Sequence, residues 1–307
     1  MPVASIGPQR MTGLDWLCLI VLSLLWGGSF LFAKIAVAAI PPLTLVLARV
    51  ALAALALLVV IRIAGHTLPS DRRIWLDFAG MGILNNLIPF GLIFQGQTEI
   101  GAGLAAVING MTPFWTAMIA RAAGAEPLPA TKLIGIAIGI VGLAVMVGPA
   151  ALAGLDASVI AQLAVVGATV SYGCAGVFGR RFRALPPLVT ATGQLSASSL
   201  LVLPVALLVD RPWTLPMPGV EIAASVLALA LVSTALAYIL FFRVLASAGA
   251  TNVMLVTQLV PVSAMLLGVV VLEETVTDRQ LLGLALIAVG FACIDGRLLA
   301  RLRPAPG

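Results

Sequence analysis

The sequence predicts an all-α integral membrane protein whose ten transmembrane helices form two inverted five-helix repeats. Composition, apolar runs and an internal repeat lead to this fold class. Of the 307 residues, 61% are hydrophobic and only 9% are charged, whereas a soluble domain carries about 25% charged residues. The alternating ten-residue segments of an outer-membrane barrel do not occur in the sequence. Helices are therefore the expected spanning elements, because backbone polar groups in lipid must be satisfied within the segment.

The apolar runs predict the individual spans. A helix needs about 20 predominantly apolar residues to cross the hydrocarbon core. Runs of about this length predict spans at residues 13–36, 42–63, 74–94, 100–121, 131–148, 157–179, 187–209, 220–242, 249–271 and 280–298. The connections are short and several contain proline, which favours turns, so none of them is expected to hold a soluble domain.

Basic residues are distributed unequally between the two sides of this arrangement. With a cytoplasmic N-terminus, most of the 17 Lys and Arg residues fall at cytoplasmic ends and loops, while Arg211 and Arg279 fall in outer loops. This positive-inside pattern predicts that both termini are cytoplasmic. Because membrane orientation accounts for the basic excess, the lipid bilayer is the expected partner and nucleic acid is not.

The chain contains an internal repeat. Residues 101–148 and 249–296 align without a gap. Aligned pairs include Gly101 with Gly249, Pro113 with Pro261, Glu126 with Glu274, Trp26-Gly27 with Tyr172-Gly173, and Arg49 with Gln194. We therefore predict one repeat at 13–148 and a second at 157–298. Five spans are an odd number, so the second repeat must be inverted. Inverted repeats are typical of alternating-access transporters with a site near the midplane, although an old duplication in a structural anchor remains the alternative.

Three stretches resemble a known family. They are LLWGGSFLFAKIAVAAIPPLTLVLARV, AYILFFRVLASAGATNVMLVTQLVPVSAMLLGVVVLEE and LLGLALIAVGFACI. They resemble the EamA branch of the drug/metabolite transporter superfamily, over essentially all ten spans. The resemblance implies a carrier in the bacterial inner membrane that exports small metabolites, with amino-acid exporters, including aromatic amino-acid exporters, as the suggested relatives. Export of other metabolites or drugs, and a passive channel, are the alternatives.

Polar and aromatic side chains within the predicted spans are the candidates for substrate binding. They are Trp26, Arg49, Asn85, Asn86, Asn109, Trp115, Tyr172, Gln194, Tyr238, Thr257 and Gln258. Small residues and prolines beside them are candidates for gating and helix packing, namely Gly27, Gly28, Pro89, Pro113, Gly173 and Pro261. The alternative for each polar candidate is an interhelical hydrogen bond, because such bonds also hold membrane helices together.

Charged residues in the spans give three more expectations. Arg49 is expected to pair with Glu99 or to meet a substrate carboxylate, with snorkelling to the outer interface as the alternative. Lys34 is expected to mark the outer end of the first span and to snorkel there. No Asp or Glu lies at the centre of a predicted span. We therefore predict no proton antiport through a buried carboxylate, because proton-coupled carriers rely on such groups.

The sequence gives no indication of catalysis or of a bound cofactor. The one histidine, His66, lies in a predicted cytoplasmic loop, away from the serine of WGGSF. Because a serine nucleophile needs a base within hydrogen-bond reach, we predict that the protein is not an enzyme. Cys18, Cys174 and Cys293 lie in three different apolar runs without metal or disulfide spacing. One chain carries both repeats, so a monomer is expected to handle its small-molecule substrate alone.

Overall fold

A computed structural model describes residues 11–148 and 155–295, apart from the side chains of residues 250, 251 and 295. Within these ranges every regular element is helical, which confirms the all-α fold class. The helices are α1 (Gly13–Val37), α2 (Pro42–Ile63), α3 (Arg72–Gln97), α4 (Ala102–Ala122), α5 (Ala130–Val147), α6 (Ala157–Phe182), α7 (Pro187–Val209), α8 (Val220–Ala248), α9 (Val256–Leu272) and α10 (Asp278–Asp295). Single helical turns lie at Pro212–Thr214 and Ala250–Val253.

Helices α1 to α8 are the eight in the described part of the chain that are long and apolar enough to cross a membrane. Helix α9 is apolar but has only 17 residues. Helix α10 has 18 residues and begins and ends with an aspartate. These helices overlap the predicted spans, and the predicted end at residue 298 lies outside the described residues.

Local sequence signals explain where several helices begin. Thr12 and Asp15 form a reciprocal capping box at the start of α1, and the Asp156 carboxylate accepts from Val159 N at 2.7 Å at the start of α6. Such caps satisfy backbone N–H groups that have no partner within the helix. Helices α2 and α7 instead begin at Pro42 and Pro187, which are suited to a first helical position because proline lacks an N–H.

Three helices depart from regular α geometry near their middle. A π-helical segment occupies Ile83–Leu87 in α3, and a longer one occupies Ala228–Leu236 in α8. Helix α4 is interrupted between Asn109 and Thr112. Proline explains part of this, because Pro89 follows the α3 segment and Pro113 the α4 break, and its ring clashes with the carbonyl four residues earlier. Such irregular segments occur often at functional sites.

The main helix contacts join the first half of the chain to the second half. Helix α1 packs against α9, α2 against α7, α4 against α6, and α5 against α10. Small residues lie at these crossings. A Cβ placed at Gly173 would lie 3.0 Å from Thr116 N, and one at Gly142 would lie 3.0 Å from the Gly283 carbonyl oxygen. Close approach at small residues is a general means of packing membrane helices.

The outer surface of the helices is strongly apolar. Large hydrophobic side chains remain exposed along the helices, among them Ile63 at 82%, Leu200 at 67% and Leu208 at 76% exposure. A soluble monomer rarely exposes extended apolar surface of this kind. The surface is therefore suited to contact with lipid, while the polar side chains of the next section point inward.

Candidate functional site

Arg49 is a buried cation between three helices. It lies on α2 and only 7% of it is exposed. Its Nε donates to Thr234 Oγ1 at 3.0 Å, in the π-helical segment of α8. The guanidinium carbon lies 3.8 Å from the ring centroid of Phe90 on α3. A cation over an aromatic face is stabilised by the ring quadrupole, and more so when water is excluded.

The two sequence-based structural expectations for Arg49 are wrong. Arg49 and Glu99 form no ion pair within the described residues, and Glu99 is exposed beyond the end of α3. Burial also excludes snorkelling to the interface. The physical reason is that α3 and α8 both pack against α2 at this level, so the side chain points into the protein interior.

A tyrosine phenol joins three helices beside Arg49. The Tyr238 hydroxyl on α8 accepts from Asn85 Nδ2 at 3.4 Å and from Gln194 Nε2 at 3.3 Å, on α3 and α7. Tyr238 and Tyr172 both lie within electrostatic range of the Arg49 guanidinium. We call Arg49, Asn85, Gln194, Thr234 and Tyr238, with the Phe90 ring, the central cluster. The two hydrogen bonds to the Tyr238 hydroxyl are long and therefore weak, so a bound polar group can replace them.

The central cluster has unused hydrogen-bonding capacity. Within the described residues, the terminal nitrogens of Arg49 have no hydrogen bond, and the buried Gln194 Oε1 has no partner. An unsatisfied buried polar atom costs about 1–3 kcal/mol, and an unpaired buried charge costs several kcal/mol. The arrangement is therefore suited to receive an anionic group at Arg49 and a donor at Gln194.

Aromatic rings connect Trp26 to the central cluster. The Trp26 and Phe241 centroids are 5.5 Å apart, Phe241 and Phe242 are 5.4 Å apart, and Phe242 and Tyr238 are 5.9 Å apart. The site residues predicted from the sequence do not include Phe90, Phe241, Phe242 or Thr234. Phenylalanine is common on lipid-facing surfaces and gives no signal of its own, whereas the alignment of Phe90 with Tyr238 was a usable signal.

Other candidates lie around a cavity that is separate from the central cluster. A space of about 180 Å³ is lined by Gly110, Thr257, Gln258, Pro261 and Phe291, from α4, α9 and α10. Asn109 precedes Gly110 in the chain, and its Oδ1 is buried without a hydrogen-bond partner in the described part of the structure. The structure thus places Thr257, Gln258 and Pro261 at this cavity, which is lined by none of the residues of the central cluster.

Asn86 and Trp115 instead lie in helix–helix contacts. Asn86 is fully buried, and its Nδ2 donates to Ser198 Oγ at 2.8 Å, which joins α3 to α7. A Cβ at Gly173 would lie 3.0 Å from Trp115 Cβ, so this tryptophan packs against α6. Among the described residues, the buried Trp115 Nε1 has no partner. For Asn86, the geometry is that of the interhelical bond given above as the alternative.

The two adjacent glycines of α1 differ. A Cβ at Gly27 would overlap Ser263 Oγ and would lie 2.8 Å from Ala264 N on α9. At Gly28 the nearest atom would belong to Phe32 at 3.5 Å, which is ordinary contact. The close helix approach expected at both glycines is therefore seen at Gly27, whereas a Cβ at Gly28 would make only ordinary contacts with the side chains of Phe32, on α1 itself, and Leu267, on α9.

Lys34 marks a helix end, as predicted, but it has a specific partner. Helix α1 ends three residues later, at Val37. Lys34 Nζ donates to the carbonyl oxygen of Gln97 at 2.7 Å, at the C-terminus of α3. A cation is favoured there by the unpaired carbonyls and the helix dipole. The lysine therefore fixes α3 to α1.

Comparison with known proteins gives the family. Residues 14–148 and 159–294 each match the EamA-like transporter family. The uncharacterized inner membrane transporter YedA of Escherichia coli (strain K12) is 27% identical, over 93% of this chain and 92% of its own length. The uncharacterized transporter YoaV of Bacillus subtilis (strain 168) is 24% identical, over 89% of this chain and 93% of its own.

Two further proteins are similar to this chain, and one is informative through the name it carries and the other through its structure. A protein of Salmonella typhimurium (strain LT2) named as a probable amino-acid metabolite efflux pump is 27% identical, over 91% of this chain and 94% of its own. A crystal structure of a 20% identical protein superimposes with a TM-score of 0.67, covering 95% of this chain and all of the other. With both halves of the sequence matched, the chain belongs to the EamA-like transporter family, a family of membrane transporters and not of enzymes.

Proposed function

We propose that the protein is an alternating-access carrier that exports small metabolites, with amino acids as its main substrate class. Arg49 is the observation that carries the substrate class, because it is a buried cation with no acidic partner within the described residues. A substrate carboxylate supplies the missing anion, and its charge-assisted hydrogen bonds to a planar guanidinium are strong. The Salmonella typhimurium relative named as a probable amino-acid metabolite efflux pump supports the same class.

The rest of the central cluster supplies contacts for the other groups of such a substrate. Gln194 Oε1 and the Tyr238 hydroxyl can accept hydrogen bonds from an amino group. The rings from Tyr238 to Trp26 offer an apolar wall for a side chain. No carboxylate belongs to the cluster, so we propose that transport does not proceed by proton exchange at a buried acid.

The proposed topology follows from the repeat. We propose ten spans in two inverted five-helix repeats, 13–148 and 157–298, with both termini in the cytoplasm of a bacterial cell and the chain acting as a monomer in the inner membrane. The pairing of helices from opposite halves supports this arrangement, because two inverted repeats that exchange roles produce two access states around one site.

Counterflow in proteoliposomes tests the proposal. Vesicles are loaded with each of the twenty amino acids in turn, and uptake of the same labelled amino acid from a dilute outer solution is measured. A carrier is expected to accumulate label transiently for at least one amino acid, because exchange needs only alternating access. Equilibration without transient accumulation indicates a passive channel. If no amino acid is taken up while other metabolites are, the proposed substrate class is wrong.

A further inference from the structure

Glu274 joins the loop after α9 to the start of α4. Its Oε1 accepts from Ala102 N at 2.6 Å, and its Oε2 accepts from Gly103 N at 3.0 Å. These N–H groups belong to the first turn of a helix, where no intrahelical partner is available. A carboxylate there is also favoured by the helix dipole. One side chain from the second half of the chain thus holds a helix of the first half.

Glycines make room for this carboxylate. A Cβ at Gly101 would lie 2.7 Å from Glu274 Cδ, and a Cβ at Gly268 would lie 2.6 Å from Glu274 Oε2. Gly101 and Glu274 also line a cavity of about 360 Å³ together with Met265 on α9. The contact is therefore built by the shape of both chain segments and is not a chance meeting of an exposed side chain.

The aligned residue of the first half, Glu126, has a similar backbone setting but different side-chain partners. Each glutamate N–H bonds to the carbonyl six residues earlier, Glu274 to Gly268 at 3.0 Å and Glu126 to Ala120 at 3.4 Å. The Glu126 carboxylate is half exposed and pairs with Arg180 at 2.5 Å and with Lys132 at 3.8 Å. The two glutamates therefore share this backbone hydrogen bond, while the loops differ in where the left-handed residue lies, at Gly124 or at Glu273, and the carboxylates differ in their partners.

We propose that Glu274 and Glu126 are alternating positioning residues that hold opposite ends of the transport pathway closed. In this structure Glu274 holds the outer end. In the opposite access state Glu274 leaves α4, and Glu126 leaves Arg180 and takes the equivalent place against Gly249 and the chain that follows it. The proposal rests on the proposed alternating-access function, since inverted repeats exchange their conformations between the two states.

A cysteine reporter at Met265 tests the proposal in the full-length purified protein. Met265→Cys is introduced after Cys18, Cys174 and Cys293 are replaced, and its rate of reaction with a water-soluble maleimide is measured without substrate. Met265 is 8% exposed in this structure. Glu274→Gln is expected to raise the labelling rate roughly fivefold to tenfold, as losing a helix-capping carboxylate shifts the equilibrium by about that factor.

Glu126→Gln is the matched variant and is expected to act in the opposite direction. It removes the holding residue of the other state, so labelling of Met265→Cys is expected to fall below its starting value. Arg180→Gln removes the present partner of Glu126 and so favours the opposite access state. It is therefore expected to raise labelling of Met265→Cys, even though residue 180 is distant in sequence from residue 265. The double variant Glu274→Gln/Glu126→Gln is expected to return the labelling rate towards that of Met265→Cys with both glutamates present.

The outcomes separate this proposal from its alternatives. If Glu274→Gln and Glu126→Gln change labelling in the same direction, or if neither changes it, the proposal is wrong. If Glu274→Gln merely loosens the local fold, the added Glu126→Gln will not restore protection, and the proposal also fails. Because labelling needs no substrate, opposite shifts combined with a failed counterflow screen would support the alternating residues and overturn only the amino-acid substrate class.

Discussion

At the scale of single residues, burial and partners distinguish side chains that look alike in the sequence. Asn85 and Asn86 are adjacent, yet Asn85 bonds to the Tyr238 hydroxyl and Asn86 bonds to Ser198 in a fully buried helix contact. Arg49 differs again, because its charge is buried without an acidic partner in the described residues. Such a charge destabilises the resting protein and is retained where a ligand completes it.

Arg49→Gln is expected to lower amino-acid counterflow at least tenfold, because a charge-assisted bond to a carboxylate contributes about 1.5–3 kcal/mol. The thermal unfolding temperature is expected to stay unchanged or to rise, since an unpaired buried charge is removed. Arg49→Lys is the matched variant and should restore only part of the activity, because an ammonium lacks the planar fork. If the counterflow rate of Arg49→Gln equals that of the wild type, Arg49 does not belong to the binding site.

At the scale of helices, irregular geometry and small residues determine how the elements meet. The π-helical segments of α3 and α8 carry Asn85 and Thr234, which face the central cluster. An extra residue in a helical turn rotates the side chains that follow, so these segments change which residues face inward. Gly27 allows α1 to approach Ser263 and Ala264 of α9 closely enough that a Cβ would overlap.

Gly27→Val and Gly28→Val form a matched pair at the α1–α9 crossing. Gly27→Val is expected to separate α1 from α9 and to cost about 1–3 kcal/mol through overpacking. Transport should be largely lost while membrane insertion persists, because insertion depends on overall apolarity. A Cβ at Gly28 would make only ordinary contacts, with the side chains of Phe32 and Leu267, so Gly28→Val should retain most of the activity. Equal counterflow rates for both variants would show that the close approach at Gly27 has no role.

At the scale of the whole molecule, each half completes the packing of the other. The crossings α1–α9 and α6–α4 are aligned counterparts. In each, a glycine of α1 or α6 lies close to a backbone nitrogen of α9 or α4. The halves also differ, because Glu274 caps the start of α4 whereas Glu126 pairs with Arg180 and Lys132. The proposed alternating access requires the structure to change at these two places.

Two loop cysteines test the proposed topology in intact cells. His66 and Thr214 are both exposed, in the loops after α2 and α7. In a cysteine-free background, Thr214→Cys is expected to react with a membrane-impermeant maleimide. His66→Cys should react only after the cells are permeabilised, because the proposed orientation puts its loop on the cytoplasmic side. Labelling of His66→Cys in intact cells would show that the proposed orientation is wrong.

The sequence alone determined the fold class, the helix positions and the repeat, because these depend on the apolarity and periodicity of the chain itself. It also placed Arg49, Asn85, Gln194 and Tyr238 among the site candidates, since polar side chains at membrane depth are costly without a function. It could not determine their partners. Pairing depends on how each helix is rotated, and a single π-helical turn alters that rotation.

Only the tertiary structure decided that Arg49 meets Thr234 and Phe90 and not Glu99. Only the tertiary structure also distinguished Gly27 from Gly28 and Glu274 from Glu126, which look alike in the sequence. Gly27 meets the backbone of α9 whereas Gly28 meets side chains, and Glu274 meets the start of α4 whereas Glu126 meets Arg180 of α6. Such contacts between distant segments leave no local signature in the residues that make them.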